Sequence, residues 1–376
     1  MKDDVTAPPA FTPLWGSRTQ HALDHFNIGN GSERMPAELI HAFGIQKKAA
    51  ALVNVEFELL SPEIGNAISA AADEVVSGEL DDHFTLSIWQ SGAGAETNMN
   101  LNEVIANRVV TTLGDSESPA GLIELVNLNQ TTFDSFPTAM HIALGIQLTE
   151  TLLPALQETQ TVLAGKAEAF KGIKKTARTY LQDSIDITLG DEFSAYAHQL
   201  AENVERTIKA VNQIWELPQG GGTVGEGRDV PEGFAEAFSK QVSSLTGHPF
   251  RSCSNKFYAM AAHDSLINLS GKLNTNSVTI MKIANDIRLM RSGPFAELTT
   301  SASEGDLRQA DAVTQVAAQV MGNHVAVTVG GASGQLQLNA YKPLMAVTSL
   351  RSIKLLADSY RNFTRICLTN LEPASK

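Results

Sequence analysis

Helix-period runs longer than an ordinary globular helix are the feature that most constrains this 376-residue chain. "FPTAMHIALGIQLTETLLPALQETQTVLAGKAEAF" runs from residue 136 to 170, interrupted by Pro154, and "DEFSAYAHQLAENVERTIKAVNQIWEL" follows from 191 to 217. "NKFYAMAAHDSLINLSGKLNTNSVTIMKIANDIRLMRSG" covers 255–293, and two more runs occupy 310–331 and 343–368. Runs beyond about 25 residues point to bundles, coiled coils or membrane spans. No stretch approaches the ~18 apolar residues of a span, which leaves a bundle and no membrane partner. In "SVTIMKIANDI", Val278, Ile280, Met281, Ile283 and Ile287 spread beyond a single stripe, so such helices need neighbours on several sides. One chain supplies about five long helices, and association of subunits covers the rest.

Composition agrees. Aromatics make up 6% of the chain and charged residues 18%, a mixture suited to helix-on-helix packing. A formal net charge of −13 opposes nucleic acid and anionic membrane surfaces. Cys253 and Cys367 lie far apart with no metal-ligand spacing, so we expect buried thiols, no disulfide and no metal. The opening "MKDDVTAPPAFTPLWG" has no apolar run after Lys2 and is not a secretory signal, so a cytoplasmic protein is expected.

Residues 1–35 read as an extended arm, and helix begins after Pro36. Ser61 as N-cap, Pro62 in the first turn and Gly78 past the end frame a further helix. We divide the chain into a mainly helical part, 1–132, and a long-helix bundle, 133–376. Polar loops at 91–100, 127–137, 177–184, 220–229 and 292–309 interrupt the helices and are the places to look for a site. In "ARTYLQDSIDITLG" a helix is expected from Ile185, with Tyr180 at its approach. "GGGTVGEG" follows a helix expected to end at Leu217 and lacks the Lys-Ser/Thr of a phosphate loop. His141, His198 and His263 fall in helical runs and read as structural.

The loops resemble those of one family. "SGAGAETNMNLNEVIANR", "FPTAMHIA" and "ARTYLQDSIDITLGDEF" are similar to signature regions of class II fumarases in the fumarase/aspartase superfamily. "NKFYAMAAHD", "MKIANDIRLMRSGP" and "QVMGNHVAVTVGGASGQLQLNAYKPLM" follow in the family's order. The resemblance implies an all-α long-helix bundle whose central helices form a tetrameric bundle. It further implies a homotetramer with sites shared between three subunits, a small-molecule substrate and no cofactor.

It also implies the site. Tyr180 stands at the place of a catalytic histidine, Asp311 at that of its glutamate, and Glu96 lies in the first signature loop; these are the candidate catalytic residues. Asn98, Thr131, Thr132, Asp134, Thr179, Gln182, Glu226, Asp229, Asn255 and Lys256 are the candidate substrate-binding residues, Asp134 with an added acid/base role. Against the family pattern, "FAELTTSASEGDLRQ" is shorter than the mobile loop with its serine base and lysine, and the expectation is that this loop and the small C-terminal domain are missing. A phenol, with an ordinary pKa of ~10, serves more readily as proton donor than as base. Added acids oppose a dianionic substrate. The expectation is therefore a divergent, lyase-fold enzyme that has lost fumarate hydration and acts by elimination, addition, isomerisation or cyclisation on a larger or less anionic substrate. The alternative is an inactive scaffold or partner protein, and the third reading is class II fumarate hydratase.

Overall fold

The computed structural model describes residues 12–29, 31–114, 118–293, 296–300 and 305–374, with backbone only at 305–307. The expected arm and the shortened loop lie partly outside these residues. The helices are α1 (Ser17–His25), α2 (Ala37–Glu56), α3 (Pro62–Ser77), α4 (Ala95–Leu113), α5 (Pro119–Val126), α6 (Thr132–Gln147) and α7 (Leu153–Ala169). A hairpin of β1 (Lys174–Thr179) and β2 (Gln182–Thr188) leads into α8 (Leu189–Ile214). Then come β3 (Glu216–Leu217), α9 (Phe234–Thr246), β4 (Arg251–Ser252), α10 (Lys256–Ala261), α11 (Asp264–Met290), β5 (Leu298–Thr300), α12 (Gly305–Ala332), α13 (Lys342–Asn362) and β6 (Leu371–Pro373).

Helices dominate, and among the described residues the sheets are three two-stranded pairs, β1–β2 and β5–β6 antiparallel and β3–β4 parallel. The bundle packs α7 on α8, α11 on α8 and α12, and α13 on α12 and α7. At ~1.5 Å per residue, the 27 residues of α11 span ~40 Å. One continuous core joins the bundle to the α2–α3 layer, with Phe43, Ile68, Phe136, Phe193 and Phe363 fully buried. Ile208, Val278, Val325 and Val329 are exposed on the bundle helices of the single chain.

Local chemistry sets the boundaries. Ser61 Oγ accepts the Ile64 N–H, Pro62 occupies the first turn, and Gly78 ends α3 at φ +84°, all as expected. The first long run is interrupted by more than a kink: residues Leu148–Leu152 form a π turn before α7. Pro154 has no N–H for the Glu150 carbonyl, and the wider turn re-spaces the backbone hydrogen bonds around that gap. Within Thr132–Ala169 an 18-residue window is apolar enough to cross a membrane, contrary to the sequence expectation, but 67% of that window is buried inside the fold, the mark of a core helix.

Other expectations are corrected. Ile185 lies in β2, not in a helix; alternating, exposed side chains keep 182–188 extended until the Thr188–Asp191 capping box starts α8. The 255–293 run is broken, since Ala262 is extended and His263 non-helical between α10 and α11. The helix before the glycine cluster ends at Ile214, and Glu216–Leu217 pair with Arg251–Ser252 as a short strand. Part of the expected arm, Ser17–His25, is helical. Both cysteines are buried.

Candidate active site

Two loops are joined through one carboxylate. Thr131 caps α6, its hydroxyl oxygen accepting the Asp134 N–H at 3.3 Å, and Asp134 Oδ1 accepts the Thr131 N–H at 2.9 Å. Asp134 Oδ2 accepts the backbone N–H groups of Gly220 and Gly222 at 3.1 and 3.2 Å, and Thr131 Oγ1 donates to the Gly222 carbonyl at 2.7 Å. Gly220 and Gly222 have φ of +87° and +65°, a backbone that L side chains rarely adopt. Asp134 is fully buried. Burial pushes its carboxyl up to about 6 against hydrogen bonds from Thr131, Gly222 and Gly220 that hold it down. With both oxygens accepting hydrogen bonds, it braces the helix against the loop.

Beside it lies a buried amide network of which sequence reasoning named only Asn98 and Thr132 and missed Lys47, Asn102, Asn127 and Gln130. Asn98 Nδ2 donates to Thr132 Oγ1 at 3.1 Å and to Asn127 Oδ1 at 3.4 Å, and Asn102 Nδ2 reaches the same oxygen at 3.2 Å. Lys47 Nζ, fully buried, donates to Asn127 Oδ1 at 3.0 Å and Gln130 Oε1 at 2.9 Å. Burial lowers the Lys47 ammonium to about 7, opposed by the charge of Asp134. The signal was present in "FGIQKKAAALVN": Phe43, Lys47, Ala50 and Asn54 share a helical face, so one of the two lysines had to point inward.

The first signature loop is rigid. A Cβ on Gly92 would lie 1.7 Å from the Ala340 carbonyl oxygen, and one on Gly94 would meet the Phe136 ring at 2.0 Å. Glu96, at the start of α4, accepts a hydrogen bond from Ser91 Oγ. Glu226 accepts the Val224 N–H at 3.0 Å, and hydrogen bonds from its own and the Val224 backbone hold its carboxyl below the usual range. Asp229 is exposed. Asn255 Oδ1 caps α10 through the Tyr258 N–H, while Lys256 Nζ donates to the Leu217 carbonyl and Ser252 Oγ at 2.8 and 3.0 Å. Lys256 therefore commits two of its three donors to the root of the glycine loop, and burial lowers its pKa.

The remaining predicted residues lie elsewhere in the chain. Tyr180 is 98% exposed at the hairpin tip, between Thr179 and Gln182, which pair across β1 and β2. Tyr180 and Leu181 both have positive φ, +55° and +60°, the geometry of a type I′ turn. Arg178 ties this hairpin to Glu297 at 3.1 Å. Asp311, on α12, pairs with Arg288 of α11 at 3.1 Å, both half-exposed. No hydrogen bond or ion pair among the described residues joins Tyr180 or Asp311 to the Asp134 network.

A cleft of about 470 Å³ opens beneath the hairpin, lined by Arg178, Lys175, Glu192, Tyr196, Lys282 and Asp286. Its charges are internally matched: Lys175 with Glu192, Lys282 with Asp286, and Arg178 with Glu297. Tyr180 does not line it. The structural histidines divide. His141 Nδ1 is bonded to the Ile214 carbonyl at 2.9 Å, His263 is buried with both ring nitrogens unpartnered, and His198 is exposed. Among the described residues no cluster of His, Cys, Asp or Glu is placed to hold a metal ion.

Comparison with known proteins places this geometry. A family model described as Lyase matches residues 8–306. The mitochondrial fumarate hydratase of Danio rerio is 48% identical over 95% of this chain and 73% of its own, and that of Rhizopus oryzae 43% identical over 96% and 76%. A crystal structure of class II fumarase from Schistosoma mansoni superposes with a TM-score of 0.92 at 32% identity, covering 97% of this chain and 82% of that one. The 3-carboxy-cis,cis-muconate lactonizing enzyme of Pseudomonas putida shares the fold alone, at 16% identity and a TM-score of 0.74. Identity of 43% and 48% across nearly the whole chain overturns the expectation of a divergent enzyme that has lost hydratase chemistry, and that of an inactive scaffold. The substitutions read as departures sit in a chain that otherwise follows the hydratases from end to end of the match. With its fold, its sequence and its long-helix core in agreement, this chain belongs to the fumarase/aspartase superfamily of lyases, on the class II fumarase side.

Proposed function

We propose that the chain is a class II fumarate hydratase, adding water across the double bond of fumarate to form malate and catalysing the reverse. The observation that carries this reading is the 48% identity to a fumarate hydratase over 95% of the chain. The site residues support it in kind. A dicarboxylate whose charge grows during proton removal needs many aligned donors. The Thr132 hydroxyl, oriented by Asn98 and next to the Thr131 cap, sits with them at the first turns of α4 and α6, where helix N-termini favour anions. Tyr180 serves as proton donor and Asp311 as its carboxylate partner, with Glu96, Asn255, Lys256, Thr179 and Gln182 completing the pocket.

Three groups of residues that stand apart in one chain come together in this proposal by sharing between subunits of a homotetramer. The exposed Ile208, Val278, Val325 and Val329 supply the apolar surface that such an assembly covers. Cytoplasmic residence is part of the same proposal and is tested by fractionation. The decisive assay follows the ultraviolet absorbance of fumarate with purified protein. Wild-type turnover that is lost in Tyr180→Phe supports the reading and the role of Tyr180. Absence of turnover with both fumarate and malate sinks it. Mixing subunits that carry Tyr180→Phe with subunits that carry Thr132→Val forms some sites with the wild-type KM if sites are shared, and only sites with the raised KM of Thr132→Val if they are not.

A further inference from the structure

The amide network contains a charge that the reaction, as described, does not use. An ammonium buried without a carboxylate in contact is expensive, and Met at position 47 would pack α2 without that penalty. What the ammonium supplies is direction. It has three donors and no acceptor, so Asn127 and Gln130 must turn their oxygens towards it. Their amide nitrogens then face the other way, Asn127 Nδ2 to the Gln130 carbonyl at 3.0 Å and Gln130 Nε2 to the Val126 carbonyl at 3.0 Å. With its oxygen fixed, Asn127 accepts from Asn98, whose amide nitrogen also reaches Thr132 Oγ1. The Thr132 hydroxyl is thereby an acceptor on its protein side and keeps its proton for an outside acceptor.

We propose that Lys47 is a positioning residue for fumarate hydration, setting through Asn127 and Asn98 the hydrogen-bond direction that makes the Thr132 hydroxyl a donor to a substrate carboxylate. This rests on the hydratase reading. It needs no contact between Lys47 and substrate, and it accounts for an amide cluster with one consistent polarity running from a buried cation to a candidate binding loop. Replacing the cation removes the one donor on Asn127 Oδ1 that cannot reverse; Asn102 and Asn98, whose amides can turn, then flip together with Asn127 at the expense of its bond to the Gln130 carbonyl, and Asn98 presents its oxygen to Thr132. The threonine then donates inward and offers only a lone pair to the anion.

The test uses the full-length protein and steady-state kinetics with fumarate. Lys47→Met, close in length and apolar, is expected to raise KM roughly tenfold with kcat changed less, the pattern of lost binding common to ground and transition states. Thr132→Val should raise KM similarly, and the double variant should add little to either single change, since both break one chain of bonds. Asn127→Leu supplies the same readout should Lys47→Met fail to fold. An unchanged KM in Lys47→Met, or in Asn127→Leu where the first does not fold, overturns the proposal, as does full additivity with Thr132→Val. Wild-type protein without turnover defeats the hydratase reading and this inference together, whereas wild-type turnover with unaltered KM in the variants defeats this inference alone.

Discussion

Asp134 and Gly222 are joined in both directions: the Asp134 carboxylate accepts the Gly222 N–H at 3.2 Å, and Thr131, capped by the same carboxylate, donates to the Gly222 carbonyl at 2.7 Å. Asp134→Asn leaves one oxygen where two accepted, and turns an NH2 group towards backbone donors. The expected loss is about 1–3 kcal/mol of stability, read as a lower denaturation midpoint at unchanged m-value. Loss of protection at Gly220 and Gly222 in hydrogen exchange should accompany it.

Two buried charges give stability opposite slopes with pH. The Asp134 carboxyl, raised to about 6 from an ordinary 3.8, contributes most at low pH, and its contribution is lost as pH rises through about 6. The Lys47 side chain, its pKa lowered to about 7 from 10.5, contributes most at high pH as the neutral amine, and its contribution is lost as pH falls through about 7. The stability of wild type relative to Lys47→Met should therefore climb as pH rises above about 7. Denaturant unfolding at a series of pH values measures it, and a flat difference would refute the burial argument for Lys47.

Glycine substitutions should divide by surroundings. Gly92→Ala drives a methyl group into the Ala340 carbonyl, whereas nothing lies within 4 Å of a Cβ on Gly165, inside α7. Gly92→Ala should lower stability by roughly 1–3 kcal/mol, and Gly165→Ala should raise it by about 0.5–1 kcal/mol. Thermal melts of the two variants beside wild type are sufficient.

The Tyr180–Leu181 turn holds two bulky residues at positive φ. Leu181→Gly should stabilise the hairpin by up to about 1 kcal/mol, because glycine accepts that backbone without strain. Tyr180→Phe, at a side chain 98% exposed in the single chain, should leave the melting temperature of dissociated subunits unchanged while removing hydratase turnover.

Beneath the hairpin, the Tyr196 hydroxyl lies 2.9 Å from Glu192 and 2.8 Å from Asp286, with Lys282 over its ring at 4.5 Å. One phenolic proton serves two carboxylates, and burial with those neighbouring charges pushes the phenol far above its usual range. Tyr196→Phe should destabilise by roughly 1–3 kcal/mol and sharpen the dependence of stability on salt, as the two acids lose their common partner.

The bundle was legible because its signal is additive: long periodic runs, a Ser61–Pro62 start and a Gly78 stop each point the same way. The hairpin was not. Gln182–Thr188 alternates Ile185 and Ile187 with polar residues, a short pattern whose helical and extended readings differ only in the partner strand, and that partner is chosen by a turn of Tyr180 and Leu181 without the usual glycine. Of the proposed site, family resemblance named Thr131, Asn98 and Asp134, but the bracing contacts of Asp134 depend on Gly220 and Gly222, more than eighty residues away in sequence. Lys47 was not singled out, because a lysine is usually at the surface and only the spacing from Phe43 to Asn54 places it inward. Function was misread from the substitutions, whose weight is small beside near-identity at almost half of all positions.

The π turn at Leu148–Leu152 has a bearing on how this core can be altered. One extra residue in a turn rotates everything after it by about 100° relative to an unbroken α-helix. Ala155, Leu156, Thr159 and Leu163 thus face the core only because the helix has been re-clocked at that point. Straightening the helix with Pro154→Ala alone would therefore trade one buried stripe for another, and a single-residue deletion within the turn should accompany that replacement for α7 to keep its face. Length and proline are two halves of one setting.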